Sequence, residues 1–340
     1  MTLPAAFNAF RIHSDDAGYR SGIETLSIDD LSPGEIVVRV AHSSVNFKDA
    51  LAGTGEGKIL RQFPLVGGID LAGHVVQSSD PAFKEGDAVL VTGCGLSETR
   101  DGGYAGYARI QAQWAIPLPA GLTLRESMVL GTAGFTAALA LLRMEENRQS
   151  PAHGPLAVTG ATGGVGSLAV DIFSSAGYTV HAISGKAEHA GYLKAIGASE
   201  VLGRDALATT RAMESVKFGG GLDNVGGPML ASLLAQTRPY GNVASAGLAA
   251  SADLPTTVMP FIIRGVSLLG VASAGTARDV RDEVWRRLAS DWKPRHLAHI
   301  CTREVGLDGL PGVFAAMLAG GSLGRTLVTL PEGGPFAETA

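Results

Sequence analysis

The chain has 340 residues, room for about two domains of ordinary size. Apolar residues make up 46% of it and charged residues 17%, and its 46 glycines follow no G-X-Y period, which excludes a collagen-like or a disordered chain. Lys plus Arg total 27 against 32 for Asp plus Glu, a net charge of −5, so the chain is a poor nucleic-acid binder, although a small anionic ligand needs only a few local donors.

The first residues, MTLPAAFNAFRIHSDD, lack a charged segment followed by an apolar core, so no signal peptide is expected. Residues 35–45 (EIVVRVAHSSV), 72–79 (AGHVVQSS) and 87–93 (DAVLVTG) are short β-branched runs bounded by turn residues. They predict a small barrel or sandwich up to about residue 125. Two cysteines, Cys94 and Cys301, make neither a disulfide framework nor a Cys-rich zinc site, and fit a reducing compartment.

From about residue 125 the rhythm changes. Residues 124–144 have helical character; their apolar stretch, 128–142, is shorter than the roughly 20 residues a membrane span needs and reads as a buried helix. Strands at 155–160, 178–184 and 200–203 alternate with helices at 166–177 and 190–198. Further strand candidates follow at 221–227, 241–249 and 265–272, then a helix at 277–290 and a strand at 324–330. Alternation of this kind implies right-handed crossovers and a parallel sheet. The fold class is therefore α/β: a β-rich domain over 1–125, completed by 295–340, and a doubly wound parallel-sheet domain over 126–294. Residues 331–340 (PEGGPFAETA) read as a frayed tail.

The sharpest local motif is Gly160-Ala-Thr-Gly163-Gly164-Val-Gly166, directly after a strand and opening a helix. Glycines there permit a tight turn, a close approach of backbone N–H groups to a pyrophosphate, and close helix–strand packing. The helix N-terminus then faces the anion with unpaired donors. An acid at the end of the second strand would favour NAD; the chain instead reads Ser184-Gly185-Lys186. Ser184 and Lys186 suit a 2′-phosphate, Arg204 after the next strand adds a second charge, and the expected cofactor is NADPH. The alternative is that Lys186 is an ordinary surface lysine.

On these and further motifs the chain resembles the medium-chain dehydrogenase/reductase superfamily. Within it, the resemblance is to the acrylyl-CoA reductase family of NADPH-dependent, zinc-free, quinone-oxidoreductase-like proteins. The carriers are SSVNFKDAL (43–51), FPLVGGIDLAG (63–73), GTAGFTA (131–137), VTGATGGVGS (158–167), YLKAIGASEVL (192–202), LPTTVMPFIIRGV (254–266) and GRTLV (324–328). The resemblance implies a GroES-like catalytic domain, a Rossmann domain, an active cleft between them, and a cytoplasmic enzyme that is commonly a homodimer. It implies a pyrophosphate loop at Thr162, Gly163, Gly164 and Val165, and a 2′-phosphate turn at Ser184, Gly185 and Lys186. It also implies that Asn224 and Leu248 pass the ribose and nicotinamide side of the cofactor, with Ile262, Ser273 and Phe47 near the nicotinamide. Relatives often have tyrosine at Phe47, and tryptophans at Cys94 and Asp101.

Zinc alcohol dehydrogenases of this superfamily carry a His-Glu pair where this chain reads Gly68-Ile69-Asp70, so no metal is expected. A zinc-free nicotinamide enzyme suits an α,β-unsaturated thioester: hydride reaches the β-carbon, and charge builds on the thioester oxygen. Asn46, Lys48 and Asp49 are the polar candidates for catalysis beside Phe47; Asn46 and Asp49 equally read as caps of local structure. Lys58, Arg61 and Arg100 are candidate donors to CoA phosphates, or else members of a solvated loop. A quinone or enone reductase and a non-enzymatic NADPH-binding protein are the rival readings. The segment 254–272 offers an edge strand for a dimer contact, or an internal strand.

Overall fold

The computed structural model describes residues 3–331; from residue 332 the expected tail lies outside the described residues. The chain opens on a hairpin, β1 (Phe7–Asp15) and β2 (Gly18–Leu26), which the polar composition of that segment conceals. There follow β3 (Ile36–Ser44), helix α1 (Phe47–Thr54), β4 (Leu65–Val66), β5 (Asp70–Ser78), β6 (Ala88–Thr92), β7 (Tyr107–Ile110) and β8 (Ile116–Pro117). Helix α2 (Leu124–Glu146) is interrupted at Gly131, whose φ of 51° and ψ of −156° are not helical. It is long and apolar enough to cross a membrane, but its apolar window is 89% buried within the protein, as for a core helix.

The alternating part comprises β9 (Leu156–Thr159), α3 (Gly164–Ser175), β10 (Val180–Ile183), α4 (Ala190–Ala195), β11 (Glu200–Leu202), β12 (Phe218–Asp223), α5 (Gly227–Gln236), β13 (Thr237–Ser245), α6 (Met259–Arg264) and β14 (Ser267–Gly270). The remainder is α7 (Arg278–Leu288), α8 (Leu297–Ile300), β15 (Cys301–Val305), α9 (Leu310–Leu318) and β16 (Arg325–Thr329).

Among the described residues the chain forms two units: 3–132, 274–282 and 301–331 in the first, 133–273 and 283–300 in the second. The excursion of 274–282 into the first unit lies well inside the stretch that the sequence reads as the parallel-sheet domain. Two arginines hold it there. Arg281 donates from Nη1 to the Thr92 carbonyl (2.9 Å) and from Nη2 to the Ala274 carbonyl (3.1 Å), and Arg278 donates to the Gln113 carbonyl (3.2 Å).

The first unit contains a sheet in the order β15-β16-β3-β5-β6-β8, with β7 also on β3, and a smaller sheet in the order β2-β1-β4. Alternating apolar residues of these strands close on one core. There Phe10, Tyr104 and Phe314 meet edge-on or tilted, with ring centroids 5.8–6.5 Å apart. The second unit has one six-stranded sheet in the order β11-β10-β9-β12-β13-β14, parallel throughout. The order reverses between β9 and β12, the switch point at which such sheets bind dinucleotides.

Candidate active site

In the first unit the site is built where β3 runs into α1. Asn46 precedes the helix, and Asp49 reaches back to accept its backbone N–H through Oδ2 (2.8 Å). The other Asp49 oxygen accepts the Ile69 N–H (2.9 Å), which ties the helix start to the residue before β5. The Asn46 amide donates to both Asp49 Oδ2 (3.2 Å) and Asp70 Oδ2 (2.8 Å), so two buried carboxylates share one amide. Asp70, unremarked in the sequence except as part of a motif, is the hub. It also accepts from Ser44 Oγ (2.6 Å), Thr132 N (2.9 Å) and Thr132 Oγ1 (2.5 Å). Arg325, on β16, supplies the positive charge. Its guanidinium donates to the Val129 (2.9 Å) and Val45 (3.0 Å) carbonyls and to Asn46 Oδ1 (3.2 Å), while buried Nη2 has no hydrogen-bond partner among the described residues.

Burial, and then the charge of Asp70, pushes the Asp49 carboxyl up to about 7. In the unfolded chain the group releases its proton near an ordinary pKa of about 3.9. Between those values the folded state binds more protons than the unfolded, so this contribution to stability falls as pH rises from about 4 to about 7, then levels off. The urea midpoint of the protein should drop through that window, and Asp49→Asn should shrink the drop. Equal slopes in both proteins would remove Asp49 as its cause.

Around this brace the sequence candidates separate. Phe47, first residue of α1, is 54% exposed and presents a bare ring. Lys48 pairs with Glu98 (2.5 Å) and keeps partial access to water. Arg100 lies over the Trp114 ring, 4.8 Å from its centroid, and donates to the Pro33 carbonyl (3.3 Å). Lys58 and Arg61 are exposed in the loop after α1. Asp101 braces the backbone, accepting from Ser32 N (2.7 Å) and Val66 N (2.8 Å). The Cys94 thiol is pushed up by burial, against its use as a nucleophile.

In the second unit the glycine loop joins β9 to α3, and Thr162 and Gly163 precede the first helical residue, Gly164. A Cβ on Gly166 would stand 2.3 Å from the Gly160 carbonyl oxygen, so only glycine permits this close turn. The first-turn N–H groups, Val165 among them, then point out of the helix with no intrahelical acceptor. At the end of β10, the Lys186 N–H donates to Ser184 Oγ (3.0 Å), folding the turn back on itself. A Cβ on Gly185 would lie 2.5 Å from Arg204 Nε, so Arg204 packs directly on this turn. Asn224 closes β12 against β9, its N–H on Thr159 Oγ1 (2.9 Å) and its amide on the Thr159 carbonyl (2.8 Å). Leu248 follows β13 and is 67% exposed; Ile262 is on α6; Ser273 starts a short 3₁₀ turn.

A β unit of this topology, in one chain with a parallel sheet that carries a glycine loop at its switch point, is the architecture of a medium-chain dehydrogenase/reductase. Residues 32–120 match the alcohol dehydrogenase GroES-like domain, and residues 164–290 the zinc-binding dehydrogenase family. Acrylyl-CoA reductase AcuI of Ruegeria pomeroyi is 43% identical over 326 residues, covering 95% of this chain and 98% of its own. The YhdH oxidoreductase of Salmonella enterica, solved with NADP, is 43% identical with a TM-score of 0.92, over 95% of this chain and 100% of that one. Bacillus subtilis YhfP, solved with NAD bound, is 44% identical with a TM-score of 0.93, over 96% and 100%. The chain belongs to the zinc-free branch of the superfamily that holds the acrylyl-CoA reductases and their quinone-oxidoreductase-like relatives.

The name of the matched zinc-binding family raises a metal, and the donors do not fit one. Both oxygens of buried Asp70 already accept hydrogen bonds. Among the described residues no three His, Cys, Asp or Glu side chains are placed to hold a metal ion. The dinucleotide does fit: glycine backbone, helix N-terminus, Ser184, Lys186 and Arg204 offer donors and positive charge for three phosphates.

Proposed function

We propose that this protein reduces the C=C bond of an α,β-unsaturated CoA thioester with NADPH, acrylyl-CoA to propionyl-CoA being the favoured reaction. The observation that carries the cofactor half is Arg204 lying on the Ser184-Gly185-Lys186 turn. The substrate half is supported by the relative named as an acrylyl-CoA reductase. When bound, the nicotinamide supplies a hydride to the β-carbon of the alkene. Thr162, Gly163, Gly164 and Val165 hold the pyrophosphate. Ser184, Gly185, Lys186 and Arg204 hold the 2′-phosphate, and Asn224, Leu248, Ile262 and Ser273 line the ribose and nicotinamide side. Phe47 offers an apolar ring to the nicotinamide side. Asn46 and Asp49 are spent on each other and on Asp70, so they position α1. Lys48, whose ammonium pairs with Glu98 and keeps partial access to water, is the residue assigned to pass a proton to the α-carbon of the enolate.

The test is NADPH consumption, followed with acrylyl-CoA, crotonyl-CoA and a simple quinone in parallel. Preference for acrylyl-CoA supports this reading. Turnover of quinone alone replaces it with the activity that the YhfP relative's name carries, and binding without turnover favours a non-enzymatic NADPH-binding sensor or structural protein. For the cofactor, Lys186→Ala should weaken NADPH by about 1.5–3 kcal/mol, the worth of a hydrogen bond to a charged group, and leave NADH unchanged. Equal losses for both cofactors would refute the phosphate role.

We infer a homodimer through the second unit. β14 is the edge of the six-stranded sheet, and Tyr240, Val258, Ile262 and Ile263 are exposed. Light scattering should report a dimer, and a monomer for the Val258→Glu, Ile263→Glu double variant; a wild-type monomer would exclude the contact. Free Cys94 and Cys301 suit the cytoplasm, where we place the protein.

A further inference from the structure

One surface of the first unit is not used by the functions above. Tyr19, on β2, and Phe63, in the loop before β4, form an edge-to-face pair with centroids 5.8 Å apart and an interplanar angle of 82°. Both rings are 39% exposed, in a unit whose other edge-to-face aromatics are buried. The pair is held rigidly. Tyr19 donates its hydroxyl to the Ala52 carbonyl on α1, and Ser21 on the same face of β2 donates to the Gly53 carbonyl (2.7 Å). The loop carrying Phe63 is fixed from the other side, through Arg61 N to the Glu98 carbonyl (2.7 Å) and Gln62 Nε2 to the Thr99 carbonyl (2.7 Å). Arg61 and Lys58 stand exposed in this loop, and neither side chain makes a hydrogen bond or ion pair with any described residue.

These features are linked by direct contacts and by short runs of chain. From Phe47 the surface passes Lys48 and its partner Glu98, then Arg61 on the Glu98 carbonyl, then Phe63 and Tyr19 at the far end of α1. Seven helical rises of about 1.5 Å separate the two ends of α1, roughly 10 Å, which an extended pantetheine arm exceeds. A thioester held at Phe47 therefore carries its nucleotide as far as the aromatic pair. The nucleotide brings a purine, which stacks on aromatic faces, and phosphates, which seek free cations.

We propose that Tyr19 and Phe63 form the adenine platform of the CoA substrate, with Lys58 and Arg61 taking its phosphates. This rests on the thioester reading above. Arg100, engaged with Trp114 and Pro33, takes no part.

The experiment uses the full chain loaded with NADPH. Calorimetry measures binding of desulfo-CoA. Kinetics compare acrylyl-CoA with the acrylyl thioester of N-acetylcysteamine, which keeps the reacting end and lacks the nucleotide. Phe63→Leu, which keeps apolar bulk without a ring face, should weaken desulfo-CoA and raise KM for acrylyl-CoA at least about fivefold, the low end for one lost base–aromatic stack. It should leave kcat and the truncated thioester unchanged. Arg61→Glu, at an exposed position, should act in the same direction, and its effect should shrink in high salt. Unchanged desulfo-CoA binding in both variants would overturn the platform, as would equal losses on the two thioesters. Reduction of acrylyl-CoA with no dependence on Phe63 or Arg61 would remove the platform and leave the reaction standing. Ring-dependent desulfo-CoA binding in a protein that reduces only quinones would do the reverse.

Discussion

Gly131→Ala should cost about 3–6 kcal/mol of stability, or leave no soluble protein. Two independent penalties meet at this residue. Its φ of 51° and ψ of −156° break the α2 helix in a conformation that side-chain-bearing residues avoid. A Cβ there would also stand 2.6 Å from Asp70 Oδ2, 2.7 Å from Ser44 Oγ and 2.9 Å from Arg325 Nη2. All three belong to the buried brace under α1, so relief cannot come from swinging a flexible side chain into solvent. Urea unfolding read against the wild type decides it, and a loss below about 1 kcal/mol would show that the helix re-forms without the kink.

Arg325→Met should cost about 3–5 kcal/mol, because it leaves buried carboxylates without a counter-charge. Asp70 and Asp49 are both essentially inaccessible, and the Arg325 guanidinium is the buried positive charge that faces them. The change also frees the Val45 and Val129 carbonyls and Asn46 Oδ1 from their donors. Adding Asp49→Asn to Arg325→Met should recover part of the loss by removing one orphaned charge. A double variant less stable than the single one would mean that the arginine acts by packing alone. Activity is the more sensitive readout, since the brace sets the direction in which Phe47 and Lys48 leave the first turn of α1.

The glycine loop, the turn at Ser184 and the later strands of the second unit are local signals; the loop follows β9 as its spacing says, whereas the strands read at 221–227 and 241–249 begin and end about four residues earlier, at 218–223 and 237–245. A strand of β-branched residues followed by glycines and an apolar helix has few ways to fold. The first unit is less legible. Its opening hairpin alternates poorly because β2 is exposed along most of its length, so no apolar period marks it. The residues NFKDAL read as polar candidates for chemistry, but as α1 they bury Asp49 and expose Phe47. Asp101 serves as a backbone brace to Ser32 and Val66, far away in sequence, a role that no local pattern marks.

Composition, the β-to-βα change of rhythm and the glycine loop are properties of neighbouring residues, and the sequence alone determines them: an α/β fold with a glycine loop between strand and helix, as dinucleotide sites require. What the tertiary structure decides is which charges survive as chemistry. Asn46 with Asp49, Asp70, and Arg325 come from three separate stretches of chain, and only when β3, β5, α1 and β16 are packed do they neutralise one another. Among the described residues no partner is folded against the Lys58 and Arg61 side chains, which keep their charge exposed, whereas Arg100 lies on Trp114. The reason is physical: spacing along the chain sets backbone geometry, whereas the availability of a charged group depends on the partners and the water that folding leaves around it.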